Sequence, residues 1–362
     1  MGDPTDTDST AGGAAARVDL RTLSRLVGLS MVTVSRALNN RPGVKAATRQ
    51  RVLAAAREHG YAPSAAARLL RARPSLVAGL VFAPYYGPSR EINPHALALV
   101  ERLRAALRLR GVDMRVLYFE GDEALRGQIL EANVLVFYGS FRESAFAIAA
   151  ESGIPALLFD KRSGQPGQIS VLVDAAQSCA RAVEYLAALG HERVGLVTGP
   201  AEELYYNEYA RAFPGALREL NLPARPEWVF QLPAAACNQD GARAALLPLL
   251  RRPNPAERPS AIVFASDWLA LGGRRAALDA GLSLPADLSI IGHDNLPSGA
   301  EIEPALTTFD VHAGRVVQTL THFAVLLGSR RDGAPAPGAA REVLIPADFI
   351  KRASCACLRP AP

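Results

Sequence analysis

Between Leu20 and Tyr61 the apolar residues repeat in a way that three short helices around one small core would satisfy. Leu20, Leu23 and Val27 recur at i, i+3 and i+7 and so share one helical face. Asp19 stands where a carboxylate accepts the orphan N–H groups of a helix start. Gly28 falls where the chain needs positive φ to leave the helix. Leu29 then plugs the turn inward, Ser30 caps a second helix, and Val34 and Ala37 of that helix face the core. A third helix over about residues 46–59 places Val52, Ala56 and His59 on one face, with His59 expected at the core edge.

That arrangement leaves Met31, Val32, Thr33, Ser35 and Arg36 on the outer side of the second helix. Two apolar side chains at the tip of an exposed helix either pack locally or meet an apolar partner. In a helix-turn-helix that partner is the thymine methyl edge of the DNA major groove, where an arginine such as Arg36 grips guanine O6 and N7. Thr48 and Arg49 sit near the start of the third helix, where free N–H groups favour a phosphate. Charge agrees. Residues 17–73 hold 12 Lys/Arg against Asp19 and Glu58, a net +10, so the rest of this +5 chain is −5. A basic module on a slightly acidic body is an electrostatic footprint of nucleic-acid contact.

Residues 61–74 are Ala- and Arg-rich and bounded by Pro63 and Pro74, too short for a stable isolated helix. One reading is a hinge that folds on DNA, with Ala67, Arg68 and Leu70 facing it and Leu70 wedged into the minor groove. The other is a helical linker whose leucines pack on the body. The Arg68, Arg71 and Arg73 cluster favours the first.

The remaining stretch alternates apolar runs with amphipathic ones. Strand-like runs are 76–82, 114–119, 134–138, 155–159, 171–173, 194–198, 261–265 and 288–292; helical stretches include 95–110, 176–189, 241–250 and 269–280. Such alternation over about 270 residues predicts parallel sheets covered by helices, in two lobes, with ligand at the strand ends between them. No apolar run reaches a membrane span's length. Residues 1–16 lack a secretory pattern and are expected to be a disordered tail. Cys179, Cys237, Cys355 and Cys357 read as reduced thiols without zinc spacing, consistent with a cytoplasmic protein.

Residues 20–79 resemble the lactose/galactose-repressor (LacI-type) family of bacterial transcription regulators. The resemblance rests on Thr33-Val-Ser-Arg-Ala-Leu-Asn39, Thr48-Arg49, Gly60-Tyr-Ala-Pro63 and the Ala-rich hinge with Leu70. It extends to about Ser354 through Leu189-Gly-His191, Ser266-Asp267, Gly281 to Asp294, and Pro346-Ala-Asp-Phe-Ile-Lys-Arg352. It implies a fold of mixed α/β class: a helix-turn-helix head over 17–62, a hinge over 63–74, and a two-lobed, periplasmic-binding-protein-like effector and dimerisation domain over 75–354, followed by a short tail 355–362. The family topology assigns 75–174 and 313–328 to one lobe, and 175–312 and 341–354 to the other. It also implies that Ser30, Met31, Val32, Thr33, Ser35, Arg36, Asn39, Thr48 and Arg49 meet DNA.

For an effector, Asp160 and Asp294 match acidic cleft positions of the family, and Ser266, Asp267 and Trp268 sit where a strand meets a helix. Paired acceptors and an aromatic platform suit a polyol. Equally, Asp267 suits a helix cap, Trp268 packing between lobes, and Asp294 a turn. Lys45 replaces the family's usual Ser or Thr cap, Tyr209 stands where the family usually has arginine, and Ala236 replaces a stacking aromatic. An aromatic pocket from Tyr85, Tyr86, Tyr205 and Tyr209 is the substitute, and a neutral sugar or glycoside the expected ligand.

No phosphate loop, nucleophile elbow or metal-ligand spacing appears, and His191 reads as a helix-terminal residue favoured by the dipole. Neither enzyme activity nor a cofactor or metal is expected. The expectation is a ligand-responsive regulator, a repressor, binding a near-palindromic operator as a homodimer that could pair further into a tetramer. The alternative is a solute-binding protein or sugar-processing enzyme with the same two-lobed fold.

Overall fold

A computed structural model describes residues 20–38, 44–59, 61, 76–83, 94–329 and 341–358. Asp19, Asn39, the hinge with Ala67, Arg68 and Leu70, Tyr85, Tyr86 and the tail 1–16 lie outside the described residues. The chain divides into two units, residues 1–73 and 74–362.

In the first unit α1 (Leu20–Val27), α2 (Met31–Leu38) and α3 (Ala46–Glu58) enclose Leu23, Val34, Ala37, Val52 and Ala56. Gly28 has φ +62°, as a turn this tight requires. The Ser30 hydroxyl accepts the Thr33 amide at 3.1 Å and caps α2. An Arg51 guanidinium N–H from α3 reaches the Val27 carbonyl at 3.0 Å, satisfying one orphan acceptor at the end of α1. Lys45 begins α3 without a side-chain cap. His59 is exposed rather than at the core edge, because α3 stops at Glu58 and His59 lies past the helical face.

The second unit holds a six-stranded parallel sheet of order β11-β5-β4-β3-β1-β2, from β1 (Leu76–Ala83), β2 (Val112–Tyr118), β3 (Val134–Gly139), β4 (Ala156–Phe159), β5 (Gln168–Val173) and β11 (Arg341–Ile345). Period-two alternation feeds two cores. Leu80, Val136 and Leu157 pack on α4 (Pro94–Leu109) and α12 (Ala313–Gly328). Val81, Leu135 and Leu158 pack on α5 (Asp122–Gln128) and α6 (Glu143–Glu151). Helices on both faces explain why these strands read as unbroken apolar runs.

A four-stranded parallel sheet, order β7-β6-β8-β9, forms the second lobe from β6 (Val194–Thr198), β7 (Val229–Gln231), β8 (Ala261–Phe264) and β9 (Ser289–Ile291). Its core also takes residues from α7 (Ala175–Ala188), α8 (Leu204–Glu219), α9 (Gln239–Leu250) and α10 (Asp267–Asp279). The short helix α11 (Pro297–Glu301) leads on to β10 (Thr308–Asp310), which pairs antiparallel with β12 (Asp348–Ile350).

The chain passes between lobes three times, with a single residue between the two cores at each passage. Val173 belongs to the first-lobe core and Ala175 to the second; Phe309 to the second and Val311 to the first; Ile345 to the first and Ala347 to the second. The passages lie side by side, since the Asp174 amide donates to the Ile345 carbonyl at 3.0 Å. This corrects the expected lobe boundary: residues 341–345 pair in parallel with β5 and complete the first-lobe sheet. Beyond Ser354 the chain stays on the second lobe, where the Leu358 amide donates to Leu189 at 2.9 Å.

Candidate functional sites: the head helix and the interlobe cleft

On α2, Val34 and Ala37 are buried while Met31 is 49% exposed and Ser30 and Thr33 stand outside the core. Thr48 and Arg49 lie in the first turn of α3 and are half-buried. Val32, Ser35 and Arg36 belong to α2 by backbone, and their side chains lie outside the described residues. The head therefore presents the start of α2 with a large apolar side chain that no core claims.

The cleft is built by loops at the carboxyl ends of strands. After β4, Asp160 takes φ +50° and its carboxylate accepts the Val173 amide at 2.9 Å. After β9, Asp294 takes φ +119° and Asn295 +54°, conformations a non-glycine residue holds only when its surroundings enforce them. Those surroundings are visible. The Asp267 carboxylate accepts the Leu296 amide at 2.7 Å and the Thr308 hydroxyl at 2.6 Å. Arg352 donates to the Asn295 side chain at 2.6 Å and to the Leu306 carbonyl at 2.8 Å. Gly292 is needed here, since a Cβ would lie 2.1 Å from an Asp267 oxygen.

The pinned loop holds Asp294 in the cleft with one buried oxygen lacking a partner among the described residues. Asp294 senses His95 of α4 and itself acts on Asp160, both of the first lobe, so it faces across the cleft. Beside it, Tyr205 packs on the cores of both lobes. Its ring centroid lies 5.5 Å from Tyr209 and 5.4 Å from His293, which stacks on Phe309.

Electrostatics follow from burial. Desolvation raises the Asp160 carboxyl to about 7, against the opposing Val173 hydrogen bond. Desolvation likewise raises Asp294 to about 6, with His95 opposing, and Asp267 to about 7, with Asp294 adding to it. Desolvation lowers His293 to about 3, so this ring is neutral. The floor is thus rich in acceptors and poor in fixed charge. Its rim is ionic: Lys161 of the first lobe pairs with Glu203 of the second in a buried contact. Arg162 pairs with Glu208 across the cleft and with Glu342 at 2.8 Å on its own side.

Of the expected effector residues, Asp160, Asp294 and Tyr205 come together here. Ser266 and Asp267 do not present free oxygens: Ser266 caps α10 through the Leu269 amide at 3.2 Å, and Asp267 holds the Asp294 loop. Tyr209 is fully buried and supports Tyr205 from below. Trp268 is half-buried in the first turn of α10. His191 also departs from expectation. Its ring is buried between the hydroxyls of Ser260 at 2.9 Å and Ser289 at 3.0 Å, and desolvation lowers its pKa, so no helix-dipole charge explains it.

A family model for bacterial regulatory proteins of the lacI family matches residues 20–64, and one for a periplasmic binding protein-like domain matches 183–355. An HTH-type transcriptional regulator of the aml 5′ region of Streptomyces limosus is 30% identical over 330 residues, 86% of this chain and 91% of that one. The chain belongs to the lacI family of bacterial regulatory proteins. The HTH-type transcriptional regulator MalR of Streptomyces coelicolor is 30% identical over 302 residues, 80% of this chain and 84% of that one. The fold is shared with the lac repressor dimer bound to operator and the anti-inducer ONPF, at TM-score 0.69 and 23% identity over 94% of this chain and all of that one. It is also shared with a CelR–cellobiose complex, at TM-score 0.67 and 21% identity over 93% of this chain and all of that one. In this chain Tyr209 is a fully buried ring, and Lys45 begins α3 without a side-chain cap.

Proposed function

We infer that this protein is a ligand-responsive, DNA-binding transcription regulator, a repressor acting on a near-palindromic operator as a dimer in the cytoplasm. The observation that carries it is the union in one chain of a lacI-type head with a two-lobed body whose cleft keeps an acceptor unpartnered among the described residues. Relatives of this chain are named repressors and regulators, among them PurR of Aliivibrio salmonicida, 25% identical over 83% of this chain and 89% of that one. Arg36, Met31, Val32, Ser35 and Thr33 read bases; Ser30, Asn39, Thr48 and Arg49 hold the backbone; Ala67, Arg68 and Leu70 meet the minor groove. The head acts through binding alone, with no catalytic role.

The effector is a neutral sugar or glycoside. A polyol donates hydroxyls to Asp160 and Asp294 and lays a C–H face on Tyr205, joined by Tyr85 and Tyr86. A bound ligand changes the relation of the lobes only through its different affinity for the two states. Passages of a single residue limit what must bend when the lobes rotate, and the Lys161–Glu203 and Arg162–Glu208 pairs favour one arrangement.

Selection of duplexes from a random library by the full chain tests the DNA reading. A near-palindromic sequence supports it, and enrichment without sequence preference refutes it. A thermal-shift screen of sugars, glycosides and nucleobases then tests the ligand class, since a ligand bound to the native state raises Tm. Stabilisation by nucleobases and not by any sugar would refute the sugar reading and leave the DNA reading intact.

A further inference from the structure

The first lobe carries a second concavity, separate from the cleft: a groove of about 560 Å3 between α4 and the start of α12. Its walls follow from helical spacing. Arg102, Ala106 and Leu109 share one face of α4, Arg110 follows just past its end, and Gly314, Val317, Gln318 and Thr321 share one face of α12.

Three guanidinium groups, Arg102, Arg110 and Arg315, line this groove, and none forms an ion pair or hydrogen bond among the described residues. Elsewhere on this lobe arginines do find carboxylates, as in Arg126–Glu151 at 2.8 Å and Arg162–Glu342 at 2.8 Å. One carboxylate lines the groove, Asp310, and both its oxygens are engaged, by the His312 amide at 2.7 Å and the Asn295 side chain at 3.2 Å. His312 pairs with Asp348 at 2.7 Å. Ala313 and Gly314, the first two residues of a 16-residue helix, line the same groove, and their N–H groups have no intrahelical acceptor.

A second, independent feature points to a ligand. Thr321 lines the groove, is 5% exposed, and its hydroxyl has no hydrogen-bond partner among the described residues. A helical threonine ordinarily bonds back to the carbonyl four residues earlier. Here the hydroxyl is buried and left unsatisfied, which costs stability unless something completes it.

We propose that this groove is a second ligand site that takes a small phosphate monoester, with the phosphate among Arg102, Arg110, Arg315 and the start of α12 and the polar remainder on Gln318 and Thr321. Planar guanidinium forks match phosphate oxygens in pairs, and helix N–H groups add donors that no side chain need supply. The site lies against the passage from Phe309 to Val311, so its occupant touches the segment that joins the lobes.

Titration calorimetry on the full chain tests this, with glycerol 3-phosphate, inorganic phosphate and glycerol as probes at matched ionic strength. Saturable binding of glycerol 3-phosphate is expected, weakened at least about tenfold in the Arg102→Gln/Arg315→Gln double variant. Thr321→Val is expected to weaken the ester and leave inorganic phosphate unchanged. The head also attracts phosphate, but that contribution is the same in parent and variants and cancels in the comparison. Equal ester binding by parent and double variant, or no saturable binding, overturns the site. Inorganic phosphate binding as tightly as the ester overturns the ester and assigns the groove to the free ion. Both variants lie on the surface or replace one unsatisfied hydroxyl, and an unchanged melting curve confirms that they fold.

Discussion

In the head, Met31 is half exposed on a helix whose buried residues are all small or aliphatic, and its chemistry faces outward. In the body, Asp294 is enclosed on a strained loop that Asp267 and Arg352 hold in place, and its chemistry faces inward. The first region needs only a rigid platform, because DNA supplies the rest of the surface. The second needs a platform and a way to open, and the lobes are joined by three passages with a single residue between the two cores at each. The contrast teaches where each function is fragile: the head through its small core, the cleft through its supporting hydrogen bonds.

The largest expected effect breaks the head alone. Leu23 is fully buried in a core of five buried side chains, and Leu23→Ala should cost about 2–5 kcal/mol. DNA binding should vanish while the body's melting transition stays in place in a calorimetric scan. Loss of both transitions would show that the two units do not fold separately.

Next, two aspartates of the same cleft should behave oppositely. Asp267→Ala orphans the Leu296 amide and the Thr308 hydroxyl and should destabilise the body by about 2–4 kcal/mol in denaturant titration. Asp294→Asn should not. Burial raises the Asp294 carboxyl to about 6, so its contribution is full below about pH 4 and declines as pH rises through the folded value. Parent and Asp294→Asn should therefore match near pH 4, and the variant should be more stable by about 3 kcal/mol at pH 8. His293 works against this trend in the parent: burial lowers it to about 3, so its contribution is complete above about 6.5 and declines on acidification. A difference between parent and variant that does not change with pH would remove the desolvation account of Asp294.

Arg36→Ala should cost about 1–3 kcal/mol of discrimination between operator and random duplex, with body stability unchanged. Equal losses on both duplexes would leave Arg36 as a phosphate contact. Smallest of all, Arg162→Ala removes a partly exposed bridge between lobes and should shift body stability by no more than about 1 kcal/mol. Its expected mark is a change in ligand affinity, measured by titration, because one lobe arrangement loses a contact.

Much of the head was legible in the sequence, since its signals are local: Gly28, the Ser30 cap and the spacing of Leu23, Val34 and Val52 each act over a few residues. Among the described residues, eight of the ten parallel strands were legible from their apolar runs, and β7 and β11 were not. Nor were β10 and β12, because a strand of three residues carries too short a pattern to detect. In the cleft, Asp160 and Asp294 stood out by position, but the roles of Asp267 and Tyr209 did not. Nothing in the sequence near Asp267 shows that its partners are Leu296 and Thr308, 29 and 41 residues away. The Lys161–Glu203 and Arg162–Glu208 bridges were invisible for the same reason, their partners lying 42 and 46 residues apart. His191 misled because a residue just past a helix end suggests the dipole, while its ring is claimed by strand-end hydroxyls far along the chain.

The central claim is that occupancy between the jaws of the body sets the grip of the head on DNA. Fluorescence anisotropy of a selected operator duplex, titrated with the full chain with and without the best ligand of the thermal-shift screen, tests it most directly. The account predicts a change in operator Kd of about 5–150-fold in the parent, no change in Asp294→Asn, and equal ligand-free affinities for the two. An operator Kd that ignores a ligand shown to bind the parent, or one that shifts equally in Asp294→Asn, would contradict it.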